Sequence, residues 1–146
     1  MRRSDIQAKI MIGIELMKQI EYIDICTPEF YNLYLSRVGE PGVEARYLRG
    51  NMCRRQEDLF KEFSAVLQFP YYFAFNWDSF DECLNDLEWL ADSCLILCIS
   101  NWSQVLVDDM HQSGDLIDIL SNAISEFSNK GISLKIMLQG DESLSR

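Results

Sequence analysis

Six consecutive apolar residues, Cys94 to Ile99, form the strongest pattern in the chain. A strand covered on both faces, as in the middle of a parallel sheet, reads this way. Val43, Ala45 and Tyr47 alternate with Glu44 and Arg46, which predicts a strand running to Leu48. Ile132 to Leu138 predicts a last strand, and Tyr22 to Cys26 is short and β-prone. Between these runs the apolar spacing changes to that of helices. Ile6, Ile10, Ile14 and Met17 share one face behind the capping box Ser4-x-x-Gln7, predicting a helix to about Lys18. Thr27 followed by Pro28 reads as an N-cap with proline at the first helical position, and that helix ends near Arg37 before Gly39 and the Pro41–Gly42 turn. Arg54 to Gln68 is predicted helical with Leu59, Phe60, Phe63, Val66 and Leu67 inward, stopped by Pro70. Asn76 caps a helix predicted from Trp77 to about Leu90. Ser103 to His111 reads as a further helix broken by Gly114, and Asp115 to Asn129 as another closed by Gly131. Strands separated by helices imply an α/β fold with a mostly parallel sheet and right-handed crossovers.

The chain has no internal repeat and no long linker, and its 146 residues suit one domain. No apolar run approaches the ~18 residues of a membrane span. Ile10 to Ile14 is soon interrupted by Glu15 and Lys18 without a signal-cleavage pattern, so the expectation is a soluble cytoplasmic protein with no membrane partner. Five cysteines without a CxxC point away from a disulfide framework and from zinc. A single histidine, His111, stands beside Met110 and Gln112, whereas most acid–base and metal mechanisms need histidine with partners at fixed spacing. No catalysis and no cofactor are expected.

Charge sharpens the picture. The net charge of −10 argues against broad gripping of nucleic acid phosphates. It is also unevenly placed: from Glu62 to Ser128 the chain carries twelve acids and no lysine or arginine. A solvated acidic surface accounts for scattered acids, but less well for so long a stretch without one base. A one-sign field of this kind steers a basic partner.

Two segments inside that stretch carry the functional signal. Six of the nine residues from Phe69 to Trp77 are aromatic. At least two of Phe73, Phe75 and Trp77 are expected to plug the core beneath the loop, and one or both of Tyr71 and Tyr72 to face outward as partner anchors. In the helix that follows, Asp78, Asp81, Glu82, Asn85, Asp86 and Trp89 fall on one side, with Phe80, Cys83, Leu84, Leu87 and Leu90 on the other. Asp78 and Glu82 are a like-charge i, i+4 pair, which slightly destabilises a helix and so hints at a use.

The segment from Leu67 to Leu90 resembles the barstar family. The shared pattern is an apolar residue and proline, an aromatic pair, then asparagine, an apolar residue and aspartate, and finally an acid followed by Cys-Leu; Pro70, Asn76, Asp78 and Cys83–Leu84 match it in register. The resemblance covers about residues 43–140. It implies a barstar-like α/β fold, a small three-stranded sheet packed by helices, here with a strand and helix added at the N-terminus. It also implies a cytoplasmic inhibitor of a ribonuclease, whose loop and acidic helix plug the enzyme's active site with carboxylates in place of substrate phosphates. By position, Tyr72 matches the family's contact tyrosine, Asp78 and Glu82 its two helix acids, Asn85 another contact position and Glu126 an acid on the last helix. Asp81 joins them on the same helix face. Four positions depart from the family: Ala74 stands for the usual glycine, Asp81 for a contact tryptophan, Glu82 for a shorter aspartate and Lys130 for an acid.

The expected organisation is an N-terminal extension over 1–42, a barstar-like domain over 43–140 and a flexible tail over 141–146. The expected function is an immunity protein that blocks a basic ribonuclease toxin without binding nucleic acid itself. The alternative is a non-catalytic regulatory module with an endogenous protein partner. Nothing in the sequence sets the oligomeric state.

Overall fold

The apolar run at Cys94–Ser100 becomes the third strand, and its neighbours follow from it. The computed structural model describes residues 19–140. The chain runs β1 (Ile20–Asp24), α1 (Thr27–Arg37), β2 (Val43–Arg49), α2 (Gln56–Val66), α3 (Trp77–Asn85), β3 (Cys94–Ser100), α4 (Ser113–Asn129) and β4 (Ser133–Gly140), with short 3-10 turns at Gly50–Met52, Trp102–Gln104 and Met110–Gln112. The four strands form one sheet in the order β1-β4-β3-β2, every pairing parallel. The sheet therefore has four strands and not the expected three. Segment 20–24 adds the fourth by pairing Ile20 with Ile136 and Asp24 with Gly140 along β4.

Strand alternation divides the interior in two. Leu48, Leu95, Leu97, Ile99, Leu134, Ile136 and Leu138 face α2, α3 and α4 in the larger core. Ala45, Ile96, Cys98 and Met137 face the opposite way and are covered by Phe30 of α1, with Leu33 and Tyr34 packed alongside. Central strands buried on both faces have no room for polar positions, which is why β3 reads as unbroken apolar sequence.

Several element boundaries differ from the sequence expectation. The helix at Trp77 ends at Asn85 rather than near Leu90. Leu87, Trp89 and Leu90 turn back onto the core, and the Trp89 indole N–H donates to the Leu67 carbonyl at 2.7 Å. A continued helix would carry Trp89 to the polar face beside Asp78 and Glu82. Residues 103–111 are not a helix. Leu106 and Asp108 instead donate their amides to the carbonyls of Cys53 and Arg54, at 2.8 and 3.0 Å, and Leu106 takes a left-handed conformation. Gly114 lies inside α4 and does not precede it, since α4 starts at Ser113. The N-cap of α1 is Cys26 rather than Thr27, whose hydroxyl reaches the Asn101 side chain instead. The helix at 54–68 is trimmed to Gln56–Val66. The capping box at Ser4–Gln7, the helix expected behind it and the tail 141–146 lie outside the described residues.

Candidate functional site

The aromatic segment is a turn built on core rings. Phe69 and Phe73 pack edge to face at 5.1 Å, and Phe60 of α2 meets Phe73, Trp77 and Phe80 at ring distances of 5.8, 4.9 and 5.6 Å. The Phe73 amide donates to the Pro70 carbonyl at 3.0 Å, closing a turn with Tyr71 and Tyr72 at its centre. Central turn residues project away from the chain they reverse, and both tyrosines do: Tyr71 is fully exposed and Tyr72 is 55% exposed. Their rings meet edge to face at 5.7 Å. At least two of Phe73, Phe75 and Trp77 are expected in the core, and two are: Phe73 is buried and Trp77 packs against the core, its indole N–H donating to Gln112 at 2.9 Å. Phe75 instead remains 51% exposed with a left-handed backbone, φ 54°.

The turn leads directly into α3. The Asn76 side-chain oxygen accepts the Ser79 amide at 2.8 Å, and the Ser79 hydroxyl accepts the Ala74 amide at 3.0 Å. Two otherwise orphaned amides are thereby satisfied, and the helix start is fixed relative to the aromatic turn. Asp78 lies in the first turn, where the positive helix end favours it. Phe80, Cys83 and Leu84 are buried beneath, so the register of the polar face is set by the core.

That face has two rows. Asp78, Glu82 and Asp86 are exposed at successive i, i+4 positions, and among the described residues none of them takes part in an ion pair. Asp81 and Asn85 form an inner, half-buried row, where the Asn85 amide donates to the Asp81 carboxylate at 3.0 Å. Asn85 is thus committed within the helix, and its own side-chain oxygen is covered without a hydrogen-bond partner. Lys130, at the end of α4, donates its ammonium to the Asn85 backbone carbonyl and holds the two helix ends together. Glu126 is exposed one turn earlier on α4. The pKa of the Tyr72 hydroxyl is raised above its ordinary value by desolvation and by the negative charge of Asp86, Glu88 and Glu82.

The six expected contact residues therefore divide. Tyr72, Asp78 and Glu82 are exposed, Asp81 and Asn85 are half-buried and joined by one hydrogen bond, and Glu126 stands exposed on the neighbouring helix. Sequence reasoning did not single out Glu88, which adds to the negative field at Tyr72. It left open which of Phe73, Phe75 and Trp77 faces outward, since an irregular turn carries no periodic signal; the structure turns Phe75 out. Among the described residues no group of three or more His, Cys, Asp or Glu side chains is arranged to hold a metal ion, and no helix is long and apolar enough to cross a membrane. The family model described as Barstar (barnase inhibitor) matches residues 43–139. No curated protein matches the chain.

Proposed function

Because the chain belongs to the barstar family, we propose that it is an immunity protein that occupies the active site of a basic ribonuclease toxin. The family is one of ribonuclease inhibitors rather than catalysts. The observation that carries the finer reading is the row Asp78, Glu82 and Asp86, exposed and, among the described residues, without ion-pair partners, together with the outward Tyr72. A site that binds RNA phosphates must present cationic groups. A row of carboxylates on a rigid helix matches those groups and offers no bond to cleave. The same charge repels RNA, so the protein competes with the substrate rather than joining it. Asp81, Asn85 and Glu126 take supporting places at the rim, the first two by fixing the shape of the helix face.

The test is a titration of RNA cleavage by barnase, the ribonuclease in the family's description, at low and moderate salt. Stoichiometric loss of cleavage is expected. Asp78→Ala combined with Glu82→Ala should weaken inhibition at least tenfold, about 1.4 kcal/mol, with an unchanged circular dichroism spectrum. Association should slow with added salt, because steering is screened beyond a Debye length of about 8–10 Å. Unaltered inhibition by the double variant would remove this surface from the reading.

One observation favours the second reading, a regulatory module with an endogenous protein partner. Tyr31 and Leu35 of α1 and Val38 directly after it are exposed, far in sequence from α3. Under that reading Leu35→Lys abolishes partner binding and the α3 substitutions do not.

A further inference from the structure

Phe75 has a position that the fold alone does not account for. Its backbone is left-handed, a conformation that costs a bulky residue roughly 1–2 kcal/mol and that glycine or asparagine adopts readily. One side of its ring rests on Phe73 at 4.7 Å, which ties it to the buried aromatic group. About half of the side chain nonetheless faces solvent, immediately before the cap residue Asn76 and three residues before Asp78. An aromatic face thus stands at the N-terminal end of the acidic row, backed by Phe73.

The chain itself shows what such a pairing holds. The Arg46 guanidinium lies 4.3 Å over the Trp89 ring while its Nε–H donates to the Glu44 carboxylate at 2.8 Å. Ring and carboxylate together bind one arginine from two sides. Arginine suits this because its planar cation stacks on aromatic faces and also pairs with carboxylates.

We propose that Phe75 and Asp78 form an arginine clamp on the partner: the ring takes the face of a guanidinium at the rim of the ribonuclease's cationic cleft, and the Asp78 carboxylate pairs with its edge. This rests on the reading of α3 as the ribonuclease-binding surface and names a contact that reading does not contain. The clamp gives the surface an aromatic anchor even though position 81 carries aspartate. Selectivity then follows from the spacing of arginines on the partner's rim.

The experiment measures inhibition of barnase by the full chain carrying Phe75→Asn, Phe75→Tyr or Asp78→Asn. Asparagine tolerates the left-handed backbone, so Phe75→Asn should keep the thermal midpoint at or above that of the unsubstituted chain. It should weaken inhibition by about three- to thirtyfold, the range expected for loss of a cation–π contact. Phe75→Tyr, which keeps the ring face, should stay within twofold. In the double variant Phe75→Asn with Asp78→Asn, the losses should fall short of multiplying, because both groups hold the same arginine. If Phe75→Asn leaves inhibition within twofold while Asp78→Asn weakens it, the clamp is overturned and the reading of α3 stands. If the two losses multiply fully, the shared arginine is refuted. If the unsubstituted chain does not inhibit barnase, the clamp and the barnase-type reading on which it rests fall together.

Discussion

If the carboxylates of α3 are there for a partner, removing one should stabilise the isolated protein, and Glu82→Gln is the cleanest case. Glu82 is exposed and lies one turn from Asp78 and one turn from Asp86. Each like-charge i, i+4 pair costs a helix about 0.2–0.5 kcal/mol. The residue is also close to the C-terminal end of α3, where an acid opposes the helix dipole. That second contribution is small here, because the Lys130 ammonium already sits on the Asn85 carbonyl. Glutamate and glutamine have similar helix propensity, so the exchange itself is close to neutral. The net expectation is a gain of about 0.5–1 kcal/mol, from the two pairs and a residual dipole contribution. For a chain of this length that raises the thermal midpoint by about 1–4 °C. Urea or thermal unfolding in low salt measures it. At 1 M salt the Debye length is about 3 Å and the gain should vanish. A Glu82→Gln chain that is less stable, or whose gain survives high salt, would refute the claim that this carboxylate is a cost to the fold.

Three further expectations concern the scaffold. Glu62 is buried and accepts three hydrogen bonds from Arg49, from the backbone N–H, Nε–H and Nη2–H at 2.9, 2.9 and 2.8 Å. Burial raises its carboxyl pKa, but the hydrogen bonds and charge of Arg49 outweigh that and hold it below the ordinary value. A lowered folded value means the stabilisation is full above the unfolded value, near 4.5, and is lost as pH falls through the folded one; Glu62→Gln should cost about 1–3 kcal/mol at neutral pH and flatten the acid limb of a stability–pH curve. A β-carbon at Gly50 would strike the backbone carbonyl oxygens of Ser100 and Asn101, so Gly50→Ala should cost about 1–3 kcal/mol in urea unfolding, and an unchanged midpoint would contradict the close approach of the β2 and β3 ends. Burial pushes the Cys53 thiol up to about 12 and that of Cys98 to about 11, so at pH 8 an alkylating reagent should modify them only after unfolding.

The fold was legible where one physical demand governs each position. β3 is buried on both faces and reads as apolar throughout; α4 keeps its apolar period from Leu116 to Phe127; Gly131, at φ 78°, ends it where the sequence places the stop. Legibility failed where distant groups compete with local preference. Residues 103–111 have a helical pattern, yet their amides are taken by the carbonyls of Cys53 and Arg54. The α2 start is held by Asp109, whose carboxylate accepts the Gln56 amide at 2.8 Å across 53 residues of sequence, and no local motif announces that. The acids of the candidate site were legible because helical periodicity locates them. Phe75 was not, because an irregular turn has no period from which to infer direction.

Residues 19–42 complete the account of the sheet, and they are where the family match and the folded unit part. The match begins at residue 43, but β1 lies against β4, and Phe30 seals Ala45, Ile96, Cys98 and Met137 on the second face. A chain begun at Val43 would open that face to water and leave β4 as an edge. Burying a side chain the size of Phe30 contributes about 1.5–3 kcal/mol. With Ile23, Ile25, Leu33 and Tyr34 also lost from this cluster, the deficit reaches the order of a domain's whole stability, about 5–15 kcal/mol. An apolar face beside an unpaired strand edge is a template for association. The 43–146 fragment should therefore unfold without a cooperative transition or self-associate in sedimentation, although it carries every residue of the α3 surface. A monomeric fragment that melts cooperatively within a few degrees of the full chain would show that the second layer is an accessory, and that the three strands of the matched segment fold unaided.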